Sequence, residues 1–198
     1  MDGTGATRRQ LLARAAAGTA GALAGLPAAA EAAPSGETDV ELLTMLLTVE
    51  QVLGFVYGYV LASGTLSATT AASARMFLGH EQVHARALTA SLQRLGGRQP
   101  QAPSDVSAAQ RGLGALNVSE ALTGLRTEHD SLALLVAAER GGQWVYYNAI
   151  TTLRNSALAL QAAEILGTEG QHAAVLAASL YDGDVKKAVP APFVQGTH

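Results

Sequence analysis

One ten-residue pattern occurs twice in this chain, and its recurrence limits the fold more than any other feature. "GHEQVHARAL" at 79–88 and "GTEGQHAAVL" at 167–176 share G-x-E-x-x-H-A-x-x-L. Upstream of each lies a second matched pair, "EQVLGFVY" at 50–57 and "ERGGQWVY" at 139–146, in which Glu is followed seven residues later by Tyr. The interval from first to second Glu is 31 residues in one half and 30 in the other. Two halves that agree at every potential ligand describe a chain built from two copies of one unit, each a pair of segments.

The segments read as helices. "TDVE" at 38–41 has the form of a capping box, with Thr38 as N-cap and Glu41 three residues on, and a helix is expected from there to about Leu61. "SGT" at 63–65 ends it, and a second helix is expected over about 67–95, stopping at Gly96-Gly97. Residues 96–118 are rich in Gly, Pro, Gln and Ser and form a long connection with one short helix near 105–111. A third helix runs through "LALLVAAERGGQWVYYNAI" to about Ile150, and a fourth covers roughly 153–181. The tail at 183–198 is expected to be non-helical, with Pro190 and Pro192 within it. Two short turns on either side of one long connection predict an all-α bundle of four helices with a single crossover, over about 37–182. With 48% hydrophobic and only 5% aromatic residues, its core is built of small aliphatic side chains.

Residues 1–32 read differently. A twin arginine, Arg8-Arg9, is followed by a mildly apolar Ala/Leu/Gly stretch and by small-residue cleavage patterns ending at Ala30 or Ala32. That order is the order of a twin-arginine signal peptide, so the protein is expected to be exported, to the periplasm, cell surface or exterior. Without those residues the chain keeps 10 basic and 14 acidic side chains. The acidic balance argues against a nucleic-acid partner. No other apolar run reads as an uninterrupted membrane span, so the processed chain is not expected to be membrane-embedded. With no cysteine, disulfides and thiolate metal sites are excluded.

Within the first copy, His80-Glu81-Gln82-Val83-His84 is a literal H-E-x-x-H, the string of zinc metalloproteases. The second copy has Thr168 where the first has His80, so the shared element is E-x-x-H. No Asp, Glu or His lies between His84 and Asp105 to act as a third zinc ligand. The string is therefore read as an accident.

On a helix, residues i and i+3 share a face, so Glu81 points with His84 and Glu169 with His172. Glu50 and Glu139 each come from an apolar stretch, and Glu50 is the only charged residue between Glu41 and Arg75. A lone carboxylate in a bundle core must be paired, protonated or coordinated. Four carboxylates and two neutral imidazoles carry a charge that two divalent cations would neutralise. One Glu from each of two helices with E-x-x-H from each of the other two is the ligand pattern of di-iron and di-manganese carboxylate bundles. Such mixed oxygen and nitrogen donors suit Fe or Mn rather than Mg or Ca.

With "VEQVLGFVYGYVLASG", "GHEQVHARALTASLQRLGG", "AAERGGQWVYYNAI", "AAEILGTEGQHAAVL" and the tail "AVPAPF", the chain resembles the ferritin-like superfamily, and especially the exported ferritin-like domain proteins related to plant desiccation-associated proteins. The likeness covers about residues 38–193. It implies that Glu81 and Glu169 bridge two metal ions, that Glu50 and Glu139 are terminal ligands, and that His84 and His172 hold one ion each. Tyr57 and Tyr146 lie about 10 Å along the helix from Glu50 and Glu139. Bacterioferritin-like sites have tyrosines at this spacing, bonded to ligands or near the metals. The plainer alternative is a pair of core aromatics whose hydroxyls find other partners. Trp144 and Phe55 are read as packing residues and Glu164 as a solvent charge. Gly141-Gly142 either opens a path for a small oxidant or permits close helix contact, and the abundance of small residues favours contact. Where many such sites place an Asp before the bridging Glu to orient a histidine, this chain has His80 and Thr168, so that support is different or supplied from elsewhere.

The resemblance implies a di-iron protein reacting with O2 or H2O2, as a ferroxidase or peroxide scavenger in stress protection. Manganese with catalase-like disproportionation is the enzymatic alternative. A stress-associated structural or interaction protein, with the metal only bracing the helices or absent, is the non-enzymatic one. A storage cage is not expected, since Pro190 and Pro192 stand where cage ferritins add a fifth helix. All six ligand candidates lie in one chain, which fits a monomer or a homodimer.

Overall fold

The computed structural model describes residues 35–191, so the signal-peptide reading of residues 1–32 lies outside the described residues. Six helices and no strand occur among the described residues: α1 (Ser35–Ser63), α2 (Ala68–Arg94), α3 (Val106–Ala115), α4 (Glu128–Thr152), α5 (Ser156–Leu180) and α6 (Val185–Ala188). The four long helices form two hairpins, α1 with α2 and α4 with α5. The hairpins meet through α1 against α4 and α2 against α5, and α3 lies on α1. The all-α bundle with one crossover is thus as expected.

Local chemistry sets most of the ends. Ser67 caps α2 by accepting from the Thr70 amide, and Gly96, at φ 75°, takes the left-handed conformation that stops it. Asp105 caps α3. Thr127 and Asp130 form a reciprocal capping box at α4. Asn155 accepts from the amides of Ala157 and Leu158 at α5.

The capping box expected at Thr38 does not form, because α1 begins a turn earlier, at Ser35. Asp39 from the same string has another task. It is buried, and its carboxylate accepts from the amides of Arg154 (3.0 Å) and Asn155 (3.1 Å) in the turn between α4 and α5. The other half repeats the arrangement. Glu128, in the first turn of α4, accepts from the Ser67 amide (3.0 Å) and hydroxyl (2.7 Å) in the turn between α1 and α2. Each hairpin turn is therefore pinned by a carboxylate from the opposite hairpin.

One further expectation needs correction. The tail is not wholly non-helical, since Asp184 caps the single turn Val185–Ala188 and accepts from the Lys186 amide. Residues 38–63 of α1 are long and apolar enough to cross a membrane by length and composition. Half of that helix's apolar window is buried within the bundle, and it carries Glu50. Its leucines and valines, Leu46, Leu47, Leu53 and Val56 among them, belong to the shared core.

The crossover packs tightly on the bundle. Leu113, Leu116 and Leu122 are buried, and Gln51 of α1 donates to the Pro100 carbonyl at 3.2 Å. A Cβ added at Gly141 would stand 2.7 Å from the Leu116 carbonyl oxygen, so this glycine exists to let the crossover backbone approach α4. At Gly142 a Cβ would meet only side chains, at 3.4 Å. Close contact, rather than a path, accounts for the glycine pair. Phe55 and Trp144 pack against the core as read, and Glu164 is exposed.

Candidate metal centre

The repeat brings its six acidic and histidine positions to one place. Glu50 comes from α1, Glu81 and His84 from α2, Glu139 from α4, and Glu169 and His172 from α5. Apolar neighbours on every helix leave the four glutamates at most 1% exposed, His172 1% and His84 9%. The crossing contacts show that facing helices run antiparallel. Tyr57 pairs with Glu139 and Tyr146 with Glu50, so an advance along α1 is a retreat along α4.

Both imidazoles turn Nδ1 into the cluster. His84 Nδ1 lies 3.2 Å from Glu50 Oε2, 3.1 Å from Glu169 Oε1 and 3.8 Å from Glu81 Oε2. His172 Nδ1 lies 3.1 Å from Glu81 Oε1, 3.4 Å from Glu139 Oε1 and 3.8 Å from Glu169 Oε2. The two sets correspond position by position under the sequence repeat. Two groups of donors capable of holding an ion result: Glu50, Glu81, His84 and Glu169, and Glu81, Glu139, Glu169 and His172. Within each, the donor atoms all lie within 4.8 Å of one another, and Glu81 and Glu169 belong to both.

Hydrogen bonding alone does not satisfy this cluster. Both oxygens of Glu81, both of Glu169, Glu139 Oε2 and His172 Nδ1 are buried and accept or donate no hydrogen bond among the described residues. Buried polar atoms are otherwise almost always paired, and unpaired carboxylate oxygens are the most costly to leave so. Six such atoms converging on one volume, all of them oxygen or imidazole nitrogen, fit cations of the iron or manganese type.

The electrostatics of the protein's own groups say the same. Burial, opposed by the hydrogen bond with His84, pushes Glu50 up from 4.5 to about 8. Glu169 is also pushed well up, by burial and by the charges of Glu139, Glu50 and Glu81. Glu81, at the position equivalent to Glu169, moves the other way: burial raises it, but the His172 and His84 imidazoles close beside it outweigh that. The carboxylates lie close enough to one another that they titrate as one set. Burial pulls His84 and His172 down, yet the carboxylates of Glu50 and Glu81 beside the first, and of Glu139 and Glu81 beside the second, raise each from 6.5 to about 9. Protons supply the positive charge that the carboxylates demand.

The tyrosines resolve between the two alternatives left by their spacing. Both are buried, and each hydroxyl donates to a glutamate of the opposite helix: Tyr57 to Glu139 Oε1, and Tyr146 to Glu50 Oε1. Burial and the adjacent carboxylates push both phenols well above their ordinary value, so they remain donors.

Sequence reasoning passed over two residues here. Gln143 is buried and donates to the Glu169 carbonyl at 3.1 Å, bracing α5 against α4. His80, which stands where many such sites place an Asp, has its Nδ1 2.9 Å from His172 Nε2 across the α2–α5 interface. The string is not a zinc-protease motif, since His80 belongs to neither donor group, but its first histidine is not idle. The signal was available: His80 breaks the repeat at a position next to a candidate ligand.

A search of curated proteins found no match. The family model for the ferritin-like domain matches residues 38–182, the stretch that holds all four long helices and all six clustered residues. The chain belongs to the ferritin-like domain family.

Proposed function

We propose that the cluster holds two metal ions, iron in the first place and manganese as the alternative, and that the protein reacts with O2 or H2O2 as a ferroxidase or peroxide scavenger. Glu81 and Glu169 would be shared between the ions. Glu50 and His84 would complete one position, and Glu139 and His172 the other. The observation that carries this reading is the convergence of six unpaired buried donor atoms from three helices, with Glu50 of the fourth and His84 within the same donor groups. Bound iron or manganese would supply the electrons for reducing the oxidant.

The chain's own groups have definable parts. Tyr57 and Tyr146 each fix one carboxylate oxygen by donating to it; the second oxygen of Glu50 faces His84, and on Glu139 the oxygen that Tyr57 holds is also the one facing His172. The aliphatic side chains of the core keep bulk water from the glutamates. His84, the most exposed of the six, marks the side from which a cation or small oxidant enters. The same donors suit manganese and peroxide disproportionation, and a purely bracing metal would tie four helices at one point.

Stopped-flow mixing separates these readings. Metal-free protein loaded with ferrous iron under argon is mixed with aerated buffer or H2O2 and followed by absorbance. A redox function gives oxidation faster than for ferrous iron alone, lost in the E81A/E169A double variant. An unchanged rate would sink it and leave the bracing role. Manganese-loaded protein evolving oxygen from peroxide would favour the catalase-like form.

We also propose that the protein is exported through the twin-arginine route and acts as a monomer or homodimer, akin to desiccation-associated proteins. Residues 1–32 and the completeness of the cluster within one chain support this. Replacing Arg8 and Arg9 by lysine should leave unprocessed chain inside the cell, and export of that variant would contradict it.

A further inference from the structure

The two halves of the cluster match at all six donor positions and at both tyrosines, but not in what stands behind the histidines. Behind His172, His80 Nδ1 meets Nε2 at 2.9 Å, with ring centroids 5.1 Å apart. Phe77 stacks on the same imidazole at 4.2 Å and 26°. The ring is therefore held at one edge and one face, and it is 1% exposed. Behind His84 the equivalent residue is Thr168, whose hydroxyl turns back onto the Glu164 carbonyl of its own helix at 3.3 Å. No hydrogen bond to His84 Nε2 is made among the described residues, and the side chain is 11% exposed.

We infer that His80 is a positioning residue for His172, and that it makes the two metal positions unequal, the one on Glu139 and His172 filling first and tighter. The inference rests on the two-metal reading above. Its logic is one of tautomers. For His172 to offer the Nδ1 lone pair to a cation, its proton must sit on Nε2, and that proton needs an acceptor. His80 Nδ1 is placed to accept it, which makes His80 the Nε2–H tautomer. The bond thus holds the Nε2 proton and the direction of the His172 ring before any cation arrives, and leaves Nδ1 as the nitrogen that a cation takes. His84 has no such acceptor at Nε2 among the described residues, so its ring is held from the Nδ1 edge alone. Supports of this kind alter metal affinity about 10–100-fold when removed.

The test is titration of the metal-free protein with cobalt(II), followed by calorimetry and visible absorption, in wild type, H80F and H80N. Phenylalanine keeps a flat ring for packing but cannot accept a proton. Asparagine can place its Oδ1 where Nδ1 stands and accept. Circular dichroism checks that each variant is folded, as expected for a partly exposed helical position. Wild type should bind in two steps of different affinity. H80F should weaken the tighter step about 10–100-fold with the weaker step unchanged, and H80N should restore most of the loss. Unchanged affinities in H80F, a loss confined to the weaker step or equal in both, or no recovery in H80N would overturn the inference while leaving the two-metal reading standing. Wild type that binds no cobalt would overturn both.

Discussion

Replacing Glu50 by glutamine in the metal-free protein isolates the electrostatic cost of the cluster. Glu50 is 1% exposed and is pushed by burial from 4.5 to about 8. The folded chain therefore keeps a proton that the unfolded chain has released, over the whole interval between those values. The stability linked to this group is fully present below pH 4.5 and is lost as pH rises through about 8. At about 1.4 kcal/mol per pH unit, the interval amounts to a loss on the order of 5 kcal/mol. Glutamine has the same shape, can still accept from Tyr146, and does not titrate. It also removes a partner that raises His84, whose own contribution declines in the same direction between 6.5 and about 9. The two effects add in sign. The assay is urea denaturation of wild type and E50Q at a series of pH values from 4.5 to 9, with chelator present. E50Q should gain on wild type by several kcal/mol as pH rises. Parallel stability curves, or wild type gaining on E50Q with rising pH, would refute the reasoning.

Three further outcomes follow from the same geometry. Loading the metal-free protein at pH 7 should release protons, because His84 and His172 at about 9 and Glu50 at about 8 must lose theirs to become ligands; a pH-stat trace with no release would contradict the ligand set. Gly141→Ala should destabilise the fold, since a clash with the Leu116 carbonyl costs about 1–3 kcal/mol, more than the roughly 1 kcal/mol gained in helix propensity. Gly142→Ala should be neutral or stabilising, and thermal denaturation in which Gly141→Ala is the more stable variant would refute the close approach. Asp39→Ala should cost about 2–3 kcal/mol by removing two charge-assisted hydrogen bonds from the α4–α5 turn, read as a lowered urea midpoint.

How much of this was legible in the sequence depends on the range over which each feature acts. The helix pairs and their ends at Ser67 and Gly96 are encoded within one or two turns of chain, so periodicity and cap residues locate them. The six clustered residues were legible for another reason. The repeat samples the same environment twice, and a carboxylate or histidine required there appears in both copies. Features that depend on contacts between the halves left no local trace. Asp39 looks like part of a cap for its own helix, and only the folded chain shows it reaching residues 154 and 155. Gly141 is unusual in a helix, but its reason lies 25 positions away at Leu116. His80 is the instructive case. It broke the repeat, which invited dismissal, whereas the break itself marks where the two halves of the centre differ. Core helices and membrane spans share the same apolar composition, so length and hydropathy alone do not separate α1 from a span, whereas its burial in the bundle and the Glu50 within it do.

The central claim is that six residues from four helices hold two metal ions. Elemental analysis of protein folded in its producing cells, beside an E81A/E169A double variant, tests it most directly. The account predicts about two iron or manganese ions per chain in the wild type, as the charge balance of the site requires, and their loss in the variant. Protein without bound metal, together with a variant that is folded and equally stable, would contradict it.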